Sequence, residues 1–235
     1  FRYERWGRTT NVITGPEALR VARESQQLNL DRKNIFGPFG AIGVPIFEAE
    51  GDRHELLRRL VRFGYARSTI APFIGLMSDE VRKTIQDWPS EVKLGPRMAE
   101  IAARAMVATF SPKPLPFDLN AIGEVGELGM KVSLRQLPPV VLARPKVKRV
   151  AARTLEVLDP VIQMHRDGVT RDDHRPWMID AFMAANAGDE RLDDLAVRGG
   201  VLYATIAAYI YLGRQAFFML AEAARDPQTL EAVKT

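Results

Sequence analysis

The longest hydrophobic pattern in the chain lies between Asp193 and Arg225. Its middle, Val201–Leu212, is an almost entirely apolar run of 12 residues, and Arg214 follows soon after. The pattern predicts one helix about 50 Å long, and its apolar middle predicts that this helix passes through the core. A membrane-spanning helix needs roughly 20 apolar residues, so the sequence does not predict a transmembrane segment here.

Shorter periodic patterns occupy the rest of the chain. Two β-rich segments on either side of Gly7-Arg8 predict a hairpin over Phe1–Thr14. Helical periodicity then predicts the helices Gly15–Ser25, Gly51–Ala66, Ser68–Trp88, Pro96–Phe110, Leu119–Leu134, Lys146–Arg166, a short one from Pro176, the long helix at about 193–225, and one starting at Gln228. The expected fold is mainly α, with one domain over residues 1–235. Because the chain begins inside a strand and stops soon after a helix starts, we expect this domain to be incomplete.

Composition and charge are those of an ordinary globular protein. Hydrophobic residues make up 46% of the chain and charged residues 26%, with a net charge of +4. Basic residues cluster between Arg53 and Arg67 and between Arg144 and Arg153. Each cluster is read either as a solvated helix face or as a docking surface for an acidic partner, and we expect no nucleic acid to bind. No signal peptide or lipidation motif is visible, which predicts a cytoplasmic protein without a membrane partner.

Two further features bear on chemistry. The chain has no cysteine, so it contains no disulfide and no thiolate metal ligand of its own.

Asn34–Val44 is a glycine-rich, hydrophobic loop that either covers a pocket entrance or simply packs on the core.

His54 and Arg58 are four residues apart and therefore share one face of their predicted helix. Together they can present N–H donors to a single anionic group, and an arginine can hold a carboxylate through two hydrogen bonds. The alternative is an ordinary pair of surface residues.

These elements, in this order, resemble the cytochrome P450 family of haem-thiolate monooxygenases. FRYERWGRTTNVITGPEALRVA resembles the family's first hairpin and the helix after it, and FEAEGDRHELLRRLVRFGYA is similar to its third helix. PWMIDAFMAANAGDERLDD and LAEAARDPQTLEAVK resemble the approach to the long central helix and its end. The resemblance extends over essentially the whole chain.

The resemblance implies a P450-like helical fold and a haem cofactor. His54 and Arg58 match the pair that binds the haem propionates in bacterial members, and the haem is expected against the long helix at Ala207 and Ala208. The resemblance also implies a hydrophobic small-molecule substrate, with Asn34–Val44 and Leu134–Val141 lining its pocket. It further implies a ferredoxin-type redox partner, for which the cluster Arg53–Arg67 is the predicted docking surface.

The sequence departs from the family at two points. The central helix of the family carries an acid and a threonine that deliver protons to oxygen, whereas Ala207–Leu212 reads AAYIYL. Tyr209 or Tyr211 stands where the hydroxyl is expected, and Thr205 lies about a turn too early; these three are the candidate catalytic residues. The alternative for Tyr209 is a core aromatic residue. The second departure is the cysteine that ligates iron in the family, because these residues contain none.

Two hypotheses therefore remain open at this stage. The first is a haem-dependent oxidoreductase of the P450 type with atypical oxygen activation, for which peroxide-driven oxidation or an isomerase-like rearrangement needs no proton relay. The second is a non-catalytic P450-like protein that binds an apolar ligand or a partner.

Overall fold

The structure is a computed structural model that describes residues 2–5, 8–11, 14–18, 20, 46, 49, 51–134, 136–168, 177–184, 194–226, 228–229 and 231. Strands β1 (Arg2–Arg5) and β2 (Arg8–Asn11) pair antiparallel, with Arg2 opposite Asn11 and Arg5 opposite Arg8. The turn between the strands lies outside the described residues, so the hairpin over Phe1–Thr14 as a whole stays a prediction. The loop Asn34–Val44 and the helix start at Pro176 also lie outside them.

The rest of the described chain is mostly helical, as the sequence pattern predicts. The helices are α1 (Gly51–Gly64), α2 (Arg67–Ile70), α3 (Ile74–Gln86), α4 (Leu94–Val107), α5 (Leu119–Ser133), α6 (Pro145–Arg166), α7 (Met178–Ala184), α8 (Asp194–Ala207) and α9 (Gly213–Arg225). A π-helical segment, Ala208–Leu212, joins α8 to α9 without a break. We call the continuous helix Asp194–Arg225 the long helix.

One predicted helix is divided into parts. Residues 68–88 form α2, a 3₁₀ turn at Ala71–Phe73, and α3. Pro72 accounts for the break, because proline has no N–H to continue the α-helical hydrogen bonds of the preceding turn. The turn directs Phe73 inward, where its ring is buried against Trp177 at a centroid distance of 5.7 Å.

Helix α8 has buried residues on more than one side, which explains why its pattern is apolar all round. Val201 and Ala204 pack into a core with α1, α4 and α7, and Leu202 and Ile206 pack into a second core with α5 and α6. By length and composition alone, Ala196–Arg225 could cross a membrane, but 67% of its most apolar window is buried inside the fold. A core helix passes the same test, so this finding is weak evidence for a membrane span.

Small residues let the neighbouring helices approach the long helix closely. A Cβ built on Gly213 would lie 2.3 Å from Ala99 Cα of α4, and one on Gly126 of α5 would lie 2.8 Å from Ile206 Cγ2. On α8 itself, a Cβ on Gly200 would lie 3.0 Å from Leu60 Cδ2 of α1. These contacts fix where three helices cross the long helix.

Capping residues define the ends of the two helices beside the long helix. Asp118 begins α5, since its Oδ1 accepts a hydrogen bond from the Ala121 N–H at 2.9 Å. Helix α6 ends at Arg166, and Gly168 follows with φ of 86°, a conformation that glycine adopts without strain.

We predict that Gly213→Ala destabilises the protein by about 1–3 kcal/mol, because the added methyl meets helix backbone that a side-chain rotation cannot move. The matched control is Gly75→Ala on α3, where a Cβ meets nothing within 4 Å and stability should stay equal or rise slightly. Urea denaturation of the two variants measures the difference. An equal stability change in both would contradict the close packing of Gly213 on Ala99.

Candidate functional site

The π-helical segment Ala208–Leu212 lies where the family resemblance predicts the catalytic motif of the long helix, at Ala207–Leu212. A π turn admits one extra residue, so it widens the helix and turns the following side chains to a new direction. Such turns are rare in proteins and frequent at functional sites. The segment is therefore the centre of the candidate site.

Two of the predicted site residues on the long helix are enclosed. Thr205 is 0% exposed, and its hydroxyl donates a hydrogen bond to the Val201 carbonyl at 2.9 Å. Ala208 is also 0% exposed. Ala207 is only half-buried. Of these three residues, Ala207 therefore presents accessible surface, while the Thr205 hydroxyl is already bonded within its own helix.

Tyr209 packs onto α5. A Cβ built on Gly123 would lie 2.3 Å from Tyr209 Cε1, so the absence of a side chain at Gly123 makes room for the ring. The Tyr209 hydroxyl donates to Asn120 Oδ1 over 3.4 Å, a long and weak hydrogen bond. Burial raises the pKa of Tyr209, and the nearby carboxylates of Glu127, Glu100 and Glu124 raise it further.

Tyr211 points outward. Its side chain is 54% exposed, and its hydroxyl lies 3.8 Å from Met130 Sδ. Burial raises the pKa of Tyr211, although the Arg214 guanidinium lowers it in part. Tyr211 is therefore the predicted catalytic residue that is most accessible to a bound molecule.

Tyr65 and Tyr203 extend this aromatic surface towards α1. Their rings meet edge to face with centroids 6.2 Å apart, and the Tyr65 ring meets Phe182 of α7 in the same way. Burial raises the pKa of Tyr203, and it raises that of Tyr65 far above its ordinary value. The buried Tyr65 hydroxyl has no hydrogen-bond partner among the described residues.

His54 and Arg58 lie on α1, as the sequence predicts. The His54 side chain is 12% exposed, with Nδ1 3.9 Å from Glu55 Oε1, and the half-exposed Arg58 places Nη1 3.7 Å from the same oxygen. Helix α1 meets the long helix where Leu60 packs on Gly200, about 10 Å before Ala207 along the helix axis. His54 and Arg58 thus lie on a helix that packs against the long helix, and both side chains are near the Glu55 carboxylate.

The donor set fits the edge of a porphyrin better than its iron. Two nitrogen donors on one helix face suit a carboxylate, and the surface at Ala207 and Tyr211 suits a flat apolar ring. The sequence supplies no thiolate. Across the described residues, no group of three or more His, Asp or Glu side chains could hold a metal ion.

Of the two segments predicted to line the substrate pocket, Asn34–Val44 lies outside the described residues. In Leu134–Val141, Leu134 and Val140 face solvent and are 52% and 69% exposed. A cavity of about 430 Å³ lies between the start of α5 and the middle of α6, lined in part by Phe117, Ala121 and Val150.

The structure also contains a buried pair, His165 and Asp180, that the sequence pattern does not predict. His165 falls in a polar stretch, which suggests a surface residue, and this expectation is wrong: the residue is 4% exposed and its Nδ1 lies 2.6 Å from Asp180 Oδ1. Asp180 Oδ2 also accepts a hydrogen bond from the Trp177 N–H at 2.8 Å. The spacing Leu158-Val161-Ile162-His165 on the buried stripe of α6 was the available signal.

The comparisons with known proteins support the fold and no more. No protein-family model matches the chain, and no curated protein sequence is detectably similar. Among solved structures, a retinoic acid-bound cyanobacterial CYP120A1 is similar, with a TM-score of 0.65 and 16% sequence identity. The match covers 91% of this chain and 49% of that one.

The fold is cytochrome P450-like. CYP120A1 is a cytochrome P450, and at this level of identity the likeness concerns architecture. This chain spans about half the length of the solved protein, so the activity, substrate and partners of a whole P450 enter below only as proposals.

We predict that Tyr65→Phe keeps or raises stability at neutral pH, because it removes a buried hydroxyl without a partner. A folded-state pKa above the unfolded value near 10 means that stability is complete below pH 10 and falls as pH rises from there towards the folded pKa. The variant should lose less stability than the wild type above pH 10. Tyr211→Phe, at a half-exposed position, is the control and should change the alkaline slope less. Equal slopes in all three proteins would contradict this interpretation.

Proposed function

We propose that this chain is the haem-contacting part of a cytochrome P450-type oxidoreductase that acts on a hydrophobic small molecule. The observation that carries the proposal is the π-helical segment Ala208–Leu212 in the long helix of a P450-like fold. The widened turn occurs at the place where the family resemblance puts the haem and the oxygen-activating groups.

The chain's own residues have complementary roles in this proposal. In this proposal His54 and Arg58 hold the propionates. The Glu55 carboxylate lies beside Arg58, so Glu55 must release the guanidinium group or share it with a propionate. Ala207 and Tyr211 would provide contacts to the haem. A bound haem would supply the oxidising chemistry, and these 235 residues contain no cysteine to provide a thiolate ligand.

Proton delivery by the long helix is weak in this arrangement. The Thr205 hydroxyl is bonded to Val201, and the Tyr209 hydroxyl is directed to Asn120 on α5. Tyr211 is accessible, but its pKa is raised, so it stays protonated and is a poor proton donor at neutral pH. These features favour a reaction with peroxide or an isomerase-like rearrangement over the reductive activation of dioxygen.

The proposed substrate and partner follow from the fold. Retinoic acid in CYP120A1 is a hydrophobic small molecule, and we extend only that class to this chain. A ferredoxin-type electron donor would be needed only for the reductive route. Such a donor is acidic, and Arg53, Arg59 and Arg62 on the exposed face of α1 would provide the complementary charge. A cytoplasmic location stays a prediction from the sequence.

A second function, binding without catalysis, is favoured by the same hydroxyl groups. Thr205 and Tyr209 both make structural contacts, and no acid stands between Ala207 and Leu212. In this case the protein binds an apolar ligand or a partner and no longer needs the oxidation chemistry.

Titration of the chain with hemin, followed by the Soret absorbance, tests the haem-binding proposal. We expect saturable one-to-one binding. Because each lost hydrogen bond to a charged group costs about 1.5–3 kcal/mol, the pair of changes His54→Ala and Arg58→Ala should weaken binding at least about tenfold.

The matched control is Arg59→Ala with Arg62→Ala on the same helix, which should bind hemin as the wild type does. Equal loss in the two double variants would contradict a role for the His54–Arg58 pair. If the wild type does not bind hemin at all, the haem-contacting role proposed for these residues is wrong.

A further inference from the structure

A second cavity, of about 260 Å³, lies between α3, the end of α4 and the connection from α4 to α5. It shares no lining residue with the candidate site. Its walls are mostly apolar and include Leu76 of α3, Val107 of α4 and Leu115 of the connection. Sites for small molecules are concave and apolar with a few polar groups, and they have volumes from about 300 Å³ upward. A cavity slightly below that range suits a compact molecule.

Trp177 forms one wall of this cavity, and neighbouring residues fix its position. Its ring packs on Phe73 with the centroids 5.7 Å apart, and its backbone N–H donates to Asp180 Oδ2 at 2.8 Å. Trp177 is 7% exposed. A bound molecule therefore meets an aromatic surface that is already in place.

Prolines stiffen another wall of the cavity. The connection between α4 and α5 contains the sequence SPKPLPF from Ser111, with proline at every second position. Pro112 and Pro114 line the cavity. Because proline fixes φ at about −65°, this wall loses little conformational freedom when a molecule binds.

Ser111 supplies a buried hydrogen-bond donor. It is 5% exposed and lines the cavity, and its Oγ accepts a hydrogen bond from the Lys113 backbone N–H at 3.3 Å. Among the described residues, the hydrogen of the Ser111 hydroxyl has no acceptor. A buried donor without an acceptor costs free energy, and an acceptor atom on a bound molecule would remove that cost.

Positive charge exceeds negative charge at the polar end of the lining. Arg104 and Lys113 both line the cavity, and Lys113 forms no ion pair within the described part of the chain. The Arg104 Nε donates to Glu100 Oε1 at 3.0 Å, but Glu100 also accepts from Arg97 Nη1 at 2.8 Å. One carboxylate thus serves two guanidinium groups. Glu80 is the single acidic residue among those that line the cavity.

We propose that this cavity binds a small carboxylic acid with an apolar body. The carboxylate would accept the Ser111 hydroxyl hydrogen and interact with the charges of Arg104 and Lys113, and the apolar body would pack on Trp177. A neutral apolar molecule would leave the donors unused, and an inorganic anion would leave the apolar walls in water. This proposal is independent of haem binding, since it uses none of the residues assigned to the haem.

Titration of the full chain with phenylacetate, followed by NMR of backbone amides and tryptophan indoles, tests the proposal. We expect saturable shifts at the Ser111 amide and the Trp177 indole, and none of comparable size at the Trp88 indole, which does not line the cavity. Phenylacetamide has nearly the same shape without the charge and should bind at least about tenfold more weakly. Added salt should weaken the binding of phenylacetate.

Two substitutions with a matched control test the polar groups. Ser111→Ala removes the buried donor and should weaken phenylacetate binding about tenfold. Lys113→Gln removes a more exposed charge and should weaken it about threefold. Lys83→Gln on α3 removes the same charge from an exposed position outside the cavity and should leave binding unchanged.

Glu80→Gln is expected to change binding in the opposite direction. The Glu80 carboxylate lines the same cavity and repels a bound carboxylate, so its neutral isostere should bind phenylacetate about threefold more tightly. General damage to the fold would weaken binding, so an increase identifies an effect of charge.

Any of four results would overturn the proposal: no saturable shift at Ser111 and Trp177, equal binding of phenylacetamide, equal effects of Lys113→Gln and Lys83→Gln, or weaker binding to Glu80→Gln. Sulfate that competes as tightly as phenylacetate would show that the cavity recognises charge alone, and it would also overturn the proposal.

Discussion

The close contact of the long helix with small residues is the constraint on which the rest of the structure depends. At Gly213 the long helix lies against the backbone of α4 at Ala99, where no side chain can be inserted. Gly126 and Gly123 give α5 the same close approach to Ile206 and Tyr209. These contacts hold the helix in place along much of its length, and they therefore determine which of its side chains enter the core.

The chemistry of the candidate site follows from that placement. Tyr209 is held by α5, and Thr205 is enclosed by the core, so neither hydroxyl group is free for a second task. Tyr211 is exposed and Ala207 is half-buried, so both present surface outside the core. The fold is thus P450-like, and the Thr205 and Tyr209 hydroxyl groups make hydrogen bonds within it. At 16% identity to a solved P450 the likeness concerns the fold, and a shared fold does not by itself imply a shared chemistry.

The sequence predicted the helices well because their signals are local. Apolar periodicity located α1, α4, α5, α6 and the long helix to within about three residues at each end. Features that depend on contacts between residues far apart in the chain were predicted less well. Pro72 favours a break in the helix, but the continuous apolar periodicity from Ser68 to Trp88 predicts a single unbroken helix. His165 was placed on the surface because its neighbours in sequence are polar, whereas its neighbours in space are Asp180 and the buried stripe of α6.

The candidate site was the least predictable part, because its geometry also depends on contacts between residues far apart in the chain. The positions of Tyr209 and Tyr211 in the chain could be compared with a motif, but the structure decides that Tyr209 packs on Gly123 of α5 while Tyr211 is more than half exposed, with only its hydroxyl near Met130. No local pattern in the sequence AAYIYL predicts the π-helical turn. The role of His54 and Arg58 as ligands of the haem propionates could be inferred only from the family resemblance.

Methyl NMR of alanine-labelled protein tests most directly whether the accessible face of the π turn receives a haem. Paramagnetic hemin broadens only the methyl signals close to its iron. We predict that one equivalent of hemin broadens the signal of half-buried Ala207 strongly and leaves that of Ala223, about 24 Å farther along the same helix, nearly unchanged. An unaffected Ala207 signal under conditions in which hemin binds would contradict the account.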